Sequence, residues 1–219
     1  MCIRDSPQST NVTINAGGLF DLQQGENWCG LILDGGTLRM SGTRTGVNTN
    51  LDRMDFRAGR VEASFTGGGT GGQLIRLASS QFLQKSGTGT VSFGPGVSLQ
   101  ADLPVNLENG TLDFDVTALP ASGNGAFTIG DVGNPVALRV SGVGTGTFGR
   151  YAYVGNPSLT IDVAEAAGTM AVVGTVEGGG AVIKTGSGTL DLRQPTALTN
   201  TTTVAGGTLR VLSLIHISE

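Results

Sequence analysis

The chain reads as an all-β protein built as a parallel β-solenoid, and three observations predict that class. A short phrase returns along the sequence, each copy alternates apolar and polar residues, and the copies recur at a nearly constant interval. Composition agrees with the pattern. Glycine is abundant, at 37 residues, while proline is scarce, at 7. Glycine without proline, among many Val, Leu and Thr, argues against collagen and against a disordered linker. It suits many short strands with a glycine at each corner, where positive φ or close backbone approach is needed.

The phrase runs GGLFDL (Gly17–Leu22), GGTLRM (Gly35–Met40) and AGRVEA (Ala58–Ala63). It continues as GTGTVSF (Gly87–Phe93), NGTLDF (Asn109–Phe114), GSGTLDL (Gly186–Leu192) and GGTLRV (Gly206–Val211). Each copy has the period of a strand with one buried face. Leu38 and Met40 point inward and Thr37 and Arg39 outward. Leu112 with Phe114, Leu190 with Leu192, Leu209 with Val211, Val91 with Phe93 and Phe20 with Leu22 form the same inward pairs. Asp113, Asp191 and Arg210 fall on the outer phase.

Spacing selects the architecture. Phe20 to Leu38 is 18 residues, Leu38 to Val61 is 23, Val91 to Leu112 is 21, and Leu190 to Leu209 is 19. A period of ~20 is too short for helix-pair repeats or propeller blades and fits one rung of a parallel solenoid. Roughly ten rungs at ~4.8 Å would give a rod on the order of 50 Å long. A β-sandwich is the alternative, because short strands with regular turns look similar. Between 115 and 177 the phrase fades, so degenerate rungs or loops such as LPASGNGAF (Leu119–Phe127) are expected there.

The clearest match is KSGTGTVSF (Lys85–Phe93) with KTGSGTLDL (Lys184–Leu192). The stretch Gly178–Val211 resembles the autotransporter-associated β-strand repeat, also called the passenger-associated transport repeat. Lys184, Gly186, Gly188, Thr189, Leu190 and Leu192 match the first half of that pattern, and Thr202, Val204, Gly206, Leu209 and Val211 the second. Leu83–Phe114 is a weaker copy. The connection Arg193–Leu198 departs from the family's Gly/Asn-rich, aromatic-containing link. The resemblance implies a right-handed parallel β-helix that serves as the structural stem of a secreted or surface-displayed passenger, aiding export and display. It further implies an outer-membrane association and a C-terminal translocator barrel in a part of the protein outside this chain. A cell-surface or glycan ligand is left open. The alternative is a fragment of a carbohydrate-active β-helix enzyme, a polysaccharide lyase or hydrolase.

The two ends differ from the text between them. MCIRDS (Met1–Ser6) and LSLIHI (Leu212–Ile217) can be written as translations of opposite strands of one DNA element. They resemble the translated inverted end of a transposon-based sequencing adapter. Met1–Ser6 and Leu212–Glu219 are therefore expected to be artefact, and 7–211 to be the β-helix passenger fragment, with its clearest repeat at 178–211. Without the ends the net charge moves from −4 to −3, the one histidine (His216) is lost, and Cys29 stays without Cys2. The commonest general acid–base and metal ligand is then missing. Near-absence of cysteine suits a chain that must stay unfolded while crossing an oxidising periplasm.

Functional motifs are sparse. Lys184-Thr185-Gly186 lacks the Ser-x-x-Lys and Ser-Asp-Asn partners that give Lys-Thr-Gly catalytic meaning, so it reads as a glycine-rich turn. GGGTGG (Gly67–Gly72) lacks the aspartate of a calcium-binding roll and reads as a corner or loop. The cluster Asp52, Arg53, Asp55, Arg57 and Arg60 is the one place where polysaccharide chemistry could be sought, with Asp55 and Arg57 sharing a strand face. Its plainer reading is a solvated, self-neutralising loop. Cys29, beside the lone Trp28, reads as a small core filler. Scattered arginines form no basic stripe, so nucleic acid is not expected as a partner. No apolar run reaches the ~18 residues of a membrane helix. No catalytic, cofactor-binding or metal-binding residue is assigned, and the expectation is a non-enzyme.

Overall fold

A computed structural model of the chain describes residues 11–22, 30–41, 47–49, 53–63, 73–77, 82–130, 133–155 and 158–212. Every strand pairing in it is parallel, and sequence-adjacent strands turn corners rather than form hairpins. That is a solenoid. A sandwich is built of antiparallel strands, so this alternative is excluded.

Three strands make a rung, one on each of three faces. Rung 1 contributes β1 (Asn11–Asn15) and β2 (Leu19–Leu22). Rungs 2 and 3 each begin with a long strand bent across two faces, β3 (Gly30–Met40) and β5 (Arg53–Ala63), followed by β4 (Val47–Thr49) and β6 (Gln73–Leu77). Rung 4 holds β7 (Leu83–Lys85), β8 (Thr90–Phe93) and β9 (Val97–Leu99), and rung 5 holds β10 (Val105–Leu107) and β11 (Gly110–Asp115). Rung 6 is β12 (Phe127–Ile129), β13 (Val136–Ser141) and β14 (Gly144–Phe148). Rung 7 is β15 (Ala152–Val154), β16 (Ser158–Val163) and β17 (Gly168–Val172). Rung 8 is β18 (Val176–Gly178), β19 (Ala181–Thr185) and β20 (Thr189–Leu192). Rung 9 is β21 (Thr196–Leu198), β22 (Thr202–Val204) and β23 (Thr208–Val211).

Among the described residues, seven rungs have strand on all three faces. The rungs lie about 23 residues apart, longer than the interval between phrases suggests. The reason is visible in the first-face register. The step is 19 residues from Asn11 to Gly30 but 29 from Met54 to Leu83, so the chain between successive first-face pairings varies in length. There are accordingly fewer rungs than the expected ten. The faded region 115–177 still contains two complete rungs, in register with their neighbours. The ends 1–10 and 213–219, Trp28, Cys29, Asp52 and the 67–72 glycine run lie outside the described residues.

Stacking aligns the inward residues in columns. On the second face Leu38, Val61, Phe93, Phe114, Val140 and Val163 follow one another in register, each buried. Phe93 and Phe114 stack with centroids 4.7 Å apart at 9°, as one-rung spacing dictates. Phe127 of the first face meets Phe148 of the third edge-on at 5.0 Å, a favoured aromatic geometry. Leu112 and Leu190 are fully buried, whereas Phe20 and Leu209 are partly buried and Val211 is exposed, since they belong to the first and last rungs. Asp191 projects outward and pairs with Arg193 at 2.8 Å.

The register can be tested by neighbouring substitutions on β20. Leu190→Ala should cost about 2–5 kcal/mol, because a fully buried leucine leaves a cavity. Asp191→Ala, which removes one exposed ion pair, should cost no more than about 1 kcal/mol. Urea midpoints followed by circular dichroism decide; equal losses at the two positions would contradict the assigned faces.

Candidate functional site: a neutralised charge cluster, buried cations and a tyrosine face

The charge cluster singled out in the sequence is divided by the bend in β5. Asp55 and Arg57 do share a face. Asp55 is 4% exposed, accepts a hydrogen bond from Ser86 Oγ at 2.5 Å, and receives Arg57 Nε at 3.1 Å. Arg57 also lies 3.6 Å from Asp34. Arg60 falls beyond the bend, on the second face, and pairs with Glu62 at 2.7 Å. The Arg53 side chain, like Asp52, lies outside the described residues. The carboxylate of Asp55 is thus engaged by donors from its own rung and the next, which makes it a staple between rungs. Among the described residues no group of three His, Cys, Asp or Glu side chains could hold a metal ion, and no helix is long and apolar enough to cross a membrane.

The repeated lysine phrase proves to encode a buried cation at a corner. Period-two alternation places Lys85 after Leu83, and Lys184 after Val182, on the inward phase, and both lysines are fully buried. Lys85 Nζ donates to the Gly87 carbonyl of its own corner and to Asn109 O of the next rung at 2.8 Å. Lys184 Nζ donates to Thr185 O, to Gly186 O at 3.2 Å and to Gly206 O of the next rung at 3.3 Å. The two corners are the same device. In each, the next rung answers with a glycine at positive φ, Gly110 (72°) or Gly207 (66°). A Cβ there would sit 2.7 Å from Lys85 Nζ or 3.0 Å from Lys184 Nζ and closer still to two carbonyl oxygens. The glycine leaves the space that the ammonium occupies.

Burial disfavours charge on both amines, and the carboxylates of Asp55 and Asp162 only partly oppose it. The pKa of Lys85 falls to about 8, and that of Lys184 is also lowered.

A third buried cation repairs a break. On the third face β4, β6 and β9 form one sheet and β14, β17, β20 and β23 another. Between them, in rung 5, residues 116–126 form no strand but place Val116, Ala118 and Leu119 in the core. Arg150, fully buried in rung 6, reaches back across this gap. Its guanidinium donates to Leu103 O at 2.8 Å, Gln100 O at 2.5 Å, Leu99 O at 3.2 Å and Ser122 O at 3.3 Å. It also lies 5.8 Å from the Phe127 ring centroid, within cation–π range. Burial lowers its pKa while Asp102 opposes the shift; arginine remains charged regardless. A planar fork of donors satisfies carbonyls that a strand would otherwise have paired. The burial of all three cations differs from the expectation that charged residues lie on the outer phase. The available signal was the alternation itself, which puts Lys85, Lys184 and Arg150 (after Phe148) on the inner phase.

The outer surfaces of the faces differ in chemistry. Register on the second face aligns Asp21, Arg39 and Glu62, and separately Asp113, Arg139 and Asp162. Arg39 pairs with Glu62 at 3.3 Å and Arg139 with Asp162 at 3.5 Å. Each triplet alternates in sign along the rod axis. The first face instead presents two columns along the rod axis. One holds Phe82, Pro104, Ala126, Tyr151 and Thr175, aligned by the backbone bonds that join consecutive rungs. The other holds Gln84, Asn106, Thr128, Tyr153 and Glu177. Tyr151 and Tyr153, the two tyrosines of the chain, are 38% and 41% exposed. Tyr151 donates its hydroxyl to Glu177 at 2.5 Å, which raises its pKa, and Gln84 donates to Glu108 at 2.6 Å.

Comparison with family models, with curated proteins and with solved structures finds no match for the chain.

Two expectations follow from the buried cations. Arg150→Met removes the shared donor of four carbonyls and should destabilise the chain by about 3 kcal/mol or more. Limited proteolysis should then open first within 116–126; cleavage elsewhere would show that Arg150 does not hold the gap. For Lys85, whose folded pKa lies below that of the unfolded chain, the native state binds fewer protons between about pH 8 and the ordinary lysine pKa near 10.5. Stability should rise with pH across that window. Lys85→Met should remove this increment in urea titrations at pH 8 and 10.5, and an unchanged pH slope would contradict it.

Proposed function

We propose that the chain is a structural stem: a segment of β-solenoid from an exported, surface-displayed passenger of an outer-membrane system. The observation that carries this reading is that each rung closes its backbone bonds and its core columns with the rungs before and after it. A chain of that kind can gain structure rung by rung as it emerges from a pore, because each new rung finds a finished template and adds its own burial. The lysine corners support the same reading, since Lys85 and Lys184 each join their own corner to the following rung. The proposal assigns no catalytic step: in the charge cluster that resembled a polysaccharide site, Asp55 and Arg57 are engaged with Ser86 and Asp34 of the neighbouring rungs.

The reading is tested by placing the full chain between a secretion signal and an outer-membrane translocator barrel in a Gram-negative cell. Surface protease accessibility should match that of a known passenger in the same vector. Leu112→Asp, which breaks a rung in mid-rod, should leave the barrel inserted but reduce surface-exposed passenger by about tenfold or more, since it buries an unpaired carboxylate. Retention of the unsubstituted chain in the periplasm, or unimpaired display of the variant, would overturn the stem function.

A further inference from the structure

We propose that the outer surface of the first face, from rung 4 to rung 8, is a binding strip for an extended, uncharged polysaccharide. The proposal is independent of the export reading, as it needs only this face of the folded rod.

The phenylalanines of the core stack, Phe56, Phe93, Phe114, Phe127 and Phe148, are buried, whereas both tyrosines project into solvent from one stretch of β-rich chain. Tyr153 lies on β15 itself and Tyr151 immediately before it, two residues apart and therefore on the same face. Core packing does not account for them. Phe82, 36% exposed, stands three rungs away in the same column as Tyr151, about 14 Å along the axis at ~4.8 Å per rung. Between these aromatic ends the adjacent column offers the amides of Gln84 and Asn106 and the hydroxyl of Thr128.

Aromatic faces receive the apolar C–H face of a sugar ring, while amides, hydroxyls and carboxylates take the ring hydroxyls. That mixture of a few convergent polar groups with aromatic platforms is the chemistry of a neutral glycan site. Charge narrows the ligand. Among the described residues, no lysine or arginine projects from this face between rungs 4 and 8, since Lys85 and Arg150 are turned inward. The carboxylates among the described residues of the strip, Glu108 and Glu177, already accept bonds from Gln84 and Tyr151. Uronic-acid polymers and nucleic acids would meet negative charge without a compensating cation. The shape narrows it further. The strip repeats once per rung along a line, so a ligand that reads several rungs must itself be linear and periodic.

The test is affinity electrophoresis of the full chain through native gels containing hydroxyethylcellulose, galactomannan or xylan, with alginate as the acidic control. Retardation is expected in at least one neutral gel and none in alginate. Tyr151→Ala/Tyr153→Ala should weaken the apparent affinity about tenfold or more, as loss of aromatic anchors does. Val143→Ser, at a 69% exposed position on a corner away from the strip, should leave it unchanged. Circular dichroism of each variant checks that the rod is intact; if the double variant loses its fold, Asn106→Ala and Gln84→Ala serve in its place. Absence of retardation in every neutral gel, retardation in alginate alone, or equal retardation of the folded strip variants would each overturn the proposal.

Discussion

The structure depends on one constraint: the backbone of each rung can satisfy its hydrogen bonds only against the rung below and the rung above. Parallel pairing fixes the axial step at ~4.8 Å, so a side chain on the inner phase must fit between its two column neighbours. Columns of like residues follow from that. Phe93 stacks flat on Phe114 because the rung step and a comfortable ring separation nearly coincide. Glycine at the corners follows as well, because carbonyls of successive rungs pass close to one another there.

The same constraint explains why this core contains cations. A strand leaves no unpaired carbonyl, but a corner does, and buried carbonyls without donors are unfavourable. A lysine on the inner phase offers three donors at the end of an apolar stem that continues the core column. Its desolvation opposes this arrangement, which is why the pKa of Lys85 falls to about 8. Arg150 answers a larger deficit. Where rung 5 lacks its third strand, a single guanidinium reaches four carbonyls spread from Leu99 to Ser122. Lysine could not span them with one point charge, so the choice of arginine here is geometric.

The strands were legible in the sequence because their signal is local. Period-two alternation in GGTLRM or GSGTLDL places Leu38 and Leu190 correctly without knowledge of any other rung. The rung length was less legible, because it is set by connections such as Val116–Ala126 between β11 and β12, and these carry no periodic signal. Regions 115–177 lost the phrase yet kept the register, since register needs apolar residues at the right phase and not the glycine-threonine wording. The buried cations were obscured for a different reason. Lys85, Lys184 and Arg150 obey the alternation, but charged residues are ordinarily assigned to solvent, and the carbonyls that justify their burial lie up to 51 residues away in sequence. Asp55 was correctly placed beside Arg57, but its bond from Ser86 depends on the rung above.

Interior and exterior therefore answer to different rules. Inside, every rung is bound by its neighbours, so phrases repeat and substitutions are restricted. Outside, a side chain is restricted only by charge and size relative to the residue one rung away. The second face uses that freedom for an alternating ladder of opposite charges, in which a slip of one rung would set like charges side by side. Individual pairs of this kind contribute little, but their order favours the correct register over its alternatives. The first face carries no such ladder beyond Asp55. Its amides, hydroxyls and tyrosines contribute little burial, and the cross-rung bonds of Gln84 to Glu108 and of Tyr151 to Glu177 lie at the surface, so core packing does not explain their residue types. In a rod whose interior dictates its own sequence, the outer positions left undetermined by packing are those on which recognition can act, and among the described residues the exposed aromatic ones, Phe82, Tyr151 and Tyr153, lie on one face.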